Sequence, residues 1–185
     1  MYKFAPASRH EPIVFGSARP EYSNNQVNEW IRFMQTQNIQ RVCCLLPKSQ
    51  LRHYSDLLDV YQQTFGIDQV CWSPIQDFHF ATHQTLIHQI LPFLACADRL
   101  QEKAVVHCSA GIGRTGHVLA AWLVAGRGLT HKAAISAVQK SGRNPYESVI
   151  AAPFQGRNPW KVLKELNTLL DECNRLRGEW SNPKL

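Results

Sequence analysis

The chain has 185 residues, 44% hydrophobic and 18% charged, which is long and apolar enough to bury one substantial core. Its most apolar stretch, residues 118–125, is far too short to cross a bilayer. The formal net charge of +6 favours anionic partners, but the basic residues are scattered and form no nucleic-acid-binding tract. We therefore expect one domain spanning residues 1–185, with neither nucleic acid nor membrane as a partner.

The six cysteines help to predict the cellular compartment. The N-terminal segment has no apolar stretch typical of an export signal, so we expect a cytoplasmic location in which the cysteines are reduced thiols. No pair of cysteines has zinc-finger spacing, and no metal or other cofactor is expected.

In chain order, short apolar runs bounded by turn formers predict four buried strands, at residues 13–15, 42–46, 70–72 and 104–107. Segments with helical spacing connect the first three strands. The first segment has Val27, Ile31 and Met34 on one helix face. The second has Leu57, Leu58 and Tyr61 on one face and ends at Gly66.

After the fourth strand, helices are predicted at about 115–126, 130–141 and 160–176, with Thr130 capping the second. Alternating strands and helices favour parallel pairing, because parallel neighbours need long connections. The predicted fold class is α/β, a mainly parallel central sheet of four to five strands flanked by helices.

The strongest functional signal lies between the fourth strand and the next helix. Five residues separate Cys108 from Arg114, so the backbone can curl into a cup whose amides face a tetrahedral oxyanion. Gly111 and Gly113 permit that curl. The run is His107, Cys108, Ser109, Ala110, Gly111, Ile112, Gly113, Arg114, Thr115 and Gly116, of which residues 109–114 are the predicted phosphate-binding group.

This loop has the parts of a nucleophilic site. The Arg114 guanidinium can hold two phosphate oxygens, and together with the helix N-terminus it stabilises the Cys108 thiolate. The Thr115 hydroxyl can donate to the sulfur when the thiolate leaves. We expect His107 to fix the loop by bonding a backbone carbonyl, and Gly116 to allow close packing of the helix.

Hydrolysis of a phosphoester also needs an acid for the leaving oxygen. Asp77 follows the strand at 70–72, and the carboxyl ends of parallel strands share one edge, so Asp77 is expected to face Cys108. An acid that later accepts a proton from water predicts a bell-shaped pH profile. Three other acids precede their strands and belong to the opposite end: Asp68, Asp98 and Glu102.

At this point the residues resemble the protein tyrosine phosphatase superfamily, whose signature is His-Cys, five residues, Arg, then Ser or Thr. Residues 56–63 and 74–77 look like small dual-specificity phosphatases of the kinase-associated type. The resemblance implies Cys108 as nucleophile, Arg114 as phosphate binder and Asp77 as general acid. It implies phosphorylated protein substrates, carrying phosphotyrosine and possibly phosphoserine or phosphothreonine, and we expect a monomer.

Other interpretations stay open. A noncatalytic phosphate-binding module, an arsenate reductase or sulfur transferase, and an RNA 5′-triphosphatase all use related anion loops. For Arg143, Gln155 and Arg157 a structural role is favoured over one at the substrate rim. Cys43 and Cys44 lie on a strand predicted beside that of Cys108, and because neighbouring residues point to opposite faces, one of the two could form a protective disulfide with Cys108.

Overall fold

The computed structural model describes residues 2–176, and its centre is a five-stranded sheet in the order β1-β2-β5-β3-β4. Strand β1 is antiparallel to β2, whereas β2, β5, β3 and β4 are parallel. The parallel strands all end at one edge, where the candidate site lies. The strands are β1 (Ala5–Pro6), β2 (Val14–Ala18), β3 (Ile39–Cys44), β4 (Val70–Trp72) and β5 (Lys103–Cys108).

Helices cover both faces of this sheet, as the buried clusters on each side show. A π-helical turn at Leu86–Ile90 joins α4 to α5, and 3-10 turns occupy Ile67–Gln69 and Pro153–Gln155. The helices are α1 (Asn24–Thr36), α2 (Lys48–Leu51), α3 (Leu57–Phe65), α4 (His83–Thr85), α5 (Leu91–Leu100), α6 (Gly113–Arg127), α7 (His131–Lys140), α8 (Glu147–Ala151) and α9 (Pro159–Arg175). No helix among residues 2–176 is long and apolar enough to cross a membrane.

Local sequence explains most of these elements. Helix α1 buries Val27, Trp30, Ile31 and Met34, the spacing of one helix face, and Ser23 caps it by accepting a hydrogen bond from Gln26 N. The predicted cap of α7 is confirmed, since the Thr130 hydroxyl accepts a hydrogen bond from Ala133 N at 3.3 Å.

Two cores lie on opposite faces of the sheet. Helices α1 and α3 pack on one face, where Trp30, Met34 and Tyr61 are fully buried. The other face carries α5, α6, α7 and α9. Helix α6 is central, because residues 113–125 are buried all round rather than along one stripe. The start of α6, where the predicted phosphate-binding loop ends, is thus held inside the larger core.

The predicted α/β fold class is confirmed, and β4 has the predicted bounds. The strand predicted at 42–46 corresponds to β3, which begins earlier and ends two residues earlier, at Cys44. The predicted end was too late because Leu45 and Leu46 are buried like strand residues, although the chain there already turns toward Pro47. The sequence pattern did not indicate the edge strand β1 or the helical segment from α4 to α5. The expected single domain of 1–185 stays a prediction, as part of it lies outside the described residues.

Ion pairs fix the opposite end of the sheet, away from the candidate site. The Arg127 guanidinium bridges the buried Glu11 at 2.8 Å and Asp98 at 2.6 Å. Arg41 pairs with Glu102 at 2.5 Å. Two of the acids judged unsuited to catalysis, Asp98 and Glu102, are therefore engaged in structural contacts far along the strands from the loop.

Candidate active site

The signature loop connects the end of β5 to the start of α6 at the carboxyl edge of the sheet. Cys108 is the last residue of β5, pairs in register with Ala18 of β2, and is only 2% exposed. The backbone N–H of Arg19 donates to the carbonyls of Cys108 at 3.0 Å and Ser109 at 3.3 Å. The base of the loop is therefore joined to the neighbouring strand.

Glycines shape the loop for two different reasons. Gly111 has φ +69°, and a Cβ there would lie 2.5 Å from the Ser17 carbonyl oxygen, so only glycine fits. Gly113 is the first residue of α6, and a methyl group there would overlap the Glu147 carboxylate. The predicted role of Gly111 in the curl is confirmed, whereas Gly113 is required for the close approach of α8.

The start of α6 faces the loop. It begins at Gly113, two residues earlier than predicted, with Ile112 in the N-cap position and no side chain capping it. Gly116 N is the first to bond backward, donating to Ile112 O at 2.8 Å. The amides before it have no acceptor within the helix, and the helix dipole adds partial positive charge where an anion would bind.

Arg114 extends from the first turn of α6 and is 3% exposed. Its Nη2 donates to Ser109 Oγ at 2.7 Å, which folds the guanidinium back over the loop. Its Nη1 donates to the Ile75 carbonyl at 3.0 Å and to Gln50 Oε1 at 3.1 Å. The guanidinium is therefore fixed from three segments of the chain and presents a directed donor array.

Asp77 reaches the same guanidinium from the loop that follows β4. Its Oδ1 lies 2.5 Å from Arg114 Nη2, and its Oδ2 accepts a hydrogen bond from Gln50 Nε2 at 2.6 Å. The carboxylate stays 48% exposed while the guanidinium is buried. The structure thus brings the predicted acid and the predicted phosphate binder together, with Gln50 of α2 bridging them.

This arrangement has a consequence for ligand binding. The two Nη atoms of Arg114 already donate to Ser109, Gln50, Ile75 and Asp77. A phosphate oxygen that takes a bond from Nη2 competes with the Asp77 carboxylate for it.

His107 packs against two aromatic side chains. Its ring lies 5.3 Å from Trp30 and 5.7 Å from Tyr61 between centroids, and neither ring nitrogen has a hydrogen-bond partner within residues 2–176. Aromatic packing thus supports the His107 ring, and the expected bond to a backbone carbonyl stays a prediction. Thr115 is also buried, and its Oγ1 has no partner in the same residues, so its donation to sulfur stays a prediction.

His117 connects the signature loop to the loop that carries Asp77, residues 73–82, which we call the acid loop. Its Nε2 accepts a hydrogen bond from Ala81 N at 3.0 Å, so the proton is on Nδ1, which lies 3.4 Å from the Gly113 carbonyl. Burial lowers the pKa of His117 to about 4 and that of His107 to about 3. Both rings are thus neutral at physiological pH.

Acid should therefore destabilise the fold. Between pH 6.5 and pH 4 the unfolded chain binds protons that the two buried rings do not, so the free energy of unfolding falls by about 1.4 kcal/mol per pH unit for each histidine. Denaturant unfolding at several pH values measures this slope. Replacing both His107 and His117 by Gln should flatten it, whereas the exposed His53→Gln should not; an unchanged slope in the double variant would contradict the assignment.

Three residues of segment 143–160 were expected to be structural. Arg143 is buried and donates to the carbonyls of Ser141 at 2.7 Å and Lys3 at 2.8 Å, in agreement with that expectation. Gln155 is exposed. Arg157 is different, because its Nη2 donates to the Phe78 carbonyl at 2.5 Å, next to Asp77.

The thiols near Cys108 are arranged across β3 and β4. Cys43 pairs in register with Cys71, and this neighbour together with burial raises the pKa of the Cys43 thiol, whereas Cys44 faces the other core, where burial raises its pKa to about 12. All six cysteines are free. The protective disulfide with Cys108 stays a prediction, and the polar contact of the Cys71 sulfur is with Ser73 Oγ at 3.2 Å.

Sequence reasoning missed Gln50 and Glu147 at this site. Gln50 lies in a short helix after β3, in a segment with no recognisable motif, and only the fold places its amide between Arg114 and Asp77. Glu147 lies in α8 against Gly113. The one signal for Gln50 was its place just beyond the carboxyl end of a parallel strand.

The fold and this loop define a cysteine-based phosphatase domain. The family model for the dual specificity phosphatase catalytic domain matches residues 22–150, more than half of the chain. The chain belongs to this family, and the predicted resemblance is confirmed. Dual specificity protein phosphatase 5 of Homo sapiens is 26% identical over 121 residues, covering 62% of this chain and 30% of that protein. The chain thus spans about 30% of that curated relative's length.

Solved structures agree on the architecture. Tk-PTP in its active form shares 26% identity with a TM-score of 0.64, over 88% of this chain and 97% of that chain. Kinase associated phosphatase, with its catalytic-site cysteine replaced by serine, shares 21% identity with a TM-score of 0.65, over 88% and 86%. At that lower identity the second likeness concerns the fold alone.

Proposed function

We propose that this chain hydrolyses phosphomonoesters on proteins through a phosphocysteine intermediate on Cys108. One observation carries the proposal: the buried Arg114 guanidinium contacts both Ser109, next to the nucleophile, and Asp77, the candidate acid. A thiol, an anion-binding helix start and a carboxyl group therefore meet at one edge of the sheet. Family membership supports the same chemistry.

In the first step the Cys108 thiolate attacks phosphorus, and the bond to the leaving oxygen breaks as the sulfur–phosphorus bond forms. The loop amides and Arg114 hold the three other oxygens, so stabilisation is positional and electrostatic. Protonated Asp77 gives its proton to the leaving oxygen, which departs as a neutral alcohol or phenol.

In the second step water attacks the phosphocysteine. Asp77, now ionised, takes the proton from that water while sulfur leaves as the thiolate. The buried Thr115 hydroxyl, which has no other partner within the described chain, is the proposed donor to the departing sulfur. Inorganic phosphate and the resting thiolate are the products.

Phosphotyrosine is the proposed main substrate, with phosphoserine and phosphothreonine as further substrates. Residues 76–79 of the acid loop are exposed, which supports an open rim able to admit side chains of different lengths. The free cysteines fit the reducing cytoplasm that the sequence predicts. The monomeric state and the exclusion of nucleic acid stay predictions.

Phosphate release from a matched panel tests the function. Purified chain in excess chelator is given phosphotyrosine, phosphoserine and phosphothreonine peptides of one sequence, and RNA with a 5′-triphosphate. We expect turnover of the phosphotyrosine peptide without added metal. Release from RNA alone would favour the 5′-triphosphatase, and phosphate binding without release from any substrate would favour the noncatalytic module.

A further inference from the structure

The loop that carries Asp77 holds an unusual backbone conformation. Residues 76–79 at its tip are exposed, and Phe78, directly after Asp77, has φ +57°. The left-handed region is unfavourable for a bulky aromatic residue. Within the loop, His79 N donates to Gln76 O at 3.2 Å and closes the turn, and contacts from outside the loop supply the remaining restraint.

On the side of the acid loop that faces α9, packing does little to hold the tip in this conformation. Residues 79–83 border a groove of about 550 Å³, whose far wall is formed by Lys161, Lys164 and Leu169 of α9. The base of the loop is anchored by Ile75 N, which donates to Leu45 O at 3.1 Å, and by the bond from Ala81 N to His117. The tip between these anchors depends on polar contacts.

Arg157 makes such a contact. Its Nη2 donates to the Phe78 carbonyl at 2.5 Å, and among the described residues it is the one side chain outside the loop that bonds to the backbone of residues 76–79. The backbone of Arg157 is fixed. Its backbone N–H donates to Ala152 O at 2.9 Å, and the next residue, Asn158, caps α9 by accepting from Trp160 N at 2.9 Å.

A second restraint on the tip is lost during the reaction. Asp77 is held by Arg114 in the structure, but substrate phosphate competes for that guanidinium. Once phosphate takes the bond, two contacts remain on the tip: Gln50 Nε2 donates to Asp77 Oδ2 at 2.6 Å, and Arg157 Nη2 donates to the Phe78 carbonyl. Of these, only the Arg157 contact holds the backbone, so its effect is greatest in the substrate complex, where Asp77 must donate its proton.

We propose that Arg157 is a positioning residue that latches the acid loop and so keeps Asp77 within reach of the leaving oxygen. The inference rests on the proposed function and adds a residue to it, from a segment that carries no recognisable motif. Arg157 acts through the backbone of Phe78 and does not contact the substrate.

The test compares leaving groups. For a series of aryl phosphates, kcat/KM reports the steps up to phosphoryl transfer to Cys108. Arg157→Ala should lower kcat/KM about tenfold for the poorest leaving groups and much less for activated ones, because only the former depend on the acid. Arg32→Ala, an exposed arginine on the opposite face of the sheet, is the matched control. Arg157→Met keeps the aliphatic stem and replaces the alanine variant if that one fails to fold.

A double-mutant cycle identifies the route of the effect. In an Asp77→Asn background, Arg157→Ala should cause no further loss, whereas a general structural role would multiply the two losses. Multiplied losses, or equal losses for all leaving groups, would overturn the latch. If Asp77→Asn shows the leaving-group dependence and Arg157→Ala does not, the latch fails while the acid assignment survives. If Asp77→Asn itself lacks that dependence, both fail.

Discussion

Replacement of Cys108 by serine is expected to lower kcat by about 10⁴-fold or more, because a serine hydroxyl is not ionised at neutral pH and cannot attack phosphorus as a thiolate does. Phosphate binding should survive. The contacts of Arg114 with Ser109, Gln50 and Ile75 do not involve the sulfur, and the amides of the loop stay in place. Removing the thiolate charge should even favour binding of a dianion.

Two measurements check this result. Phosphate release from a phosphotyrosine peptide gives kcat, and calorimetry with inorganic phosphate gives the affinity of the Cys108→Ser variant. Cys96→Ser is the matched control. Cys96 lies in α5, which precedes the start of β5, whereas Cys108 is at the end of β5 where the site lies. Substantial turnover by Cys108→Ser would exclude the phosphocysteine, and loss of phosphate binding would show that the variant distorts the loop.

The parts of the site that the sequence predicted are local ones. A strand, a loop of fixed length and a helix follow each other within about twenty residues, so Cys108, Arg114 and the curl at Gly111 could be located without long-range information. Thr130 was predictable for the same reason, since a cap and its helix are adjacent in the chain. The position of Asp77 needed one rule of topology, that parallel strands end at a common edge.

The parts that were missed depend on contacts between distant segments. Gln50 meets Asp77 across 27 residues and Arg114 across 64, and Arg157 meets Phe78 across 79. No periodicity or composition marks a polar residue for such a contact. The aromatic packing of His107 could not be predicted for the same reason, because Trp30 and Tyr61 come from helices on one face of the sheet and are far away in sequence.

The contacts of Arg114 suggest how binding and catalysis are linked. The same Nη2 that would hold phosphate now holds Asp77, so the acid is stored as an ion pair beside the site where it will act. In the proposed mechanism, substrate phosphate would replace the carboxylate on this guanidinium. The displaced Asp77 would then be the group that donates a proton to the leaving oxygen.

Asp77→Asn is the second large expected effect. Asparagine keeps the size of the side chain and can still accept a hydrogen bond from Arg114, but it has no acidic proton to transfer to the leaving oxygen. We expect kcat/KM to fall by about 10²- to 10⁴-fold for substrates with poor leaving groups, such as phosphoserine peptides, and far less for activated aryl phosphates.

The pH profile gives an independent readout of the same change. A general acid must be protonated, so kcat/KM of the unmodified protein should fall on the alkaline side as Asp77 loses its proton, and this fall should vanish in Asp77→Asn. Asp68→Ala, an exposed acid at the start of β4 and thus at the other edge of the sheet, should leave both the rates and the profile unchanged. Equal losses across all leaving groups, or an alkaline fall that persists in Asp77→Asn, would mean that another group supplies the proton.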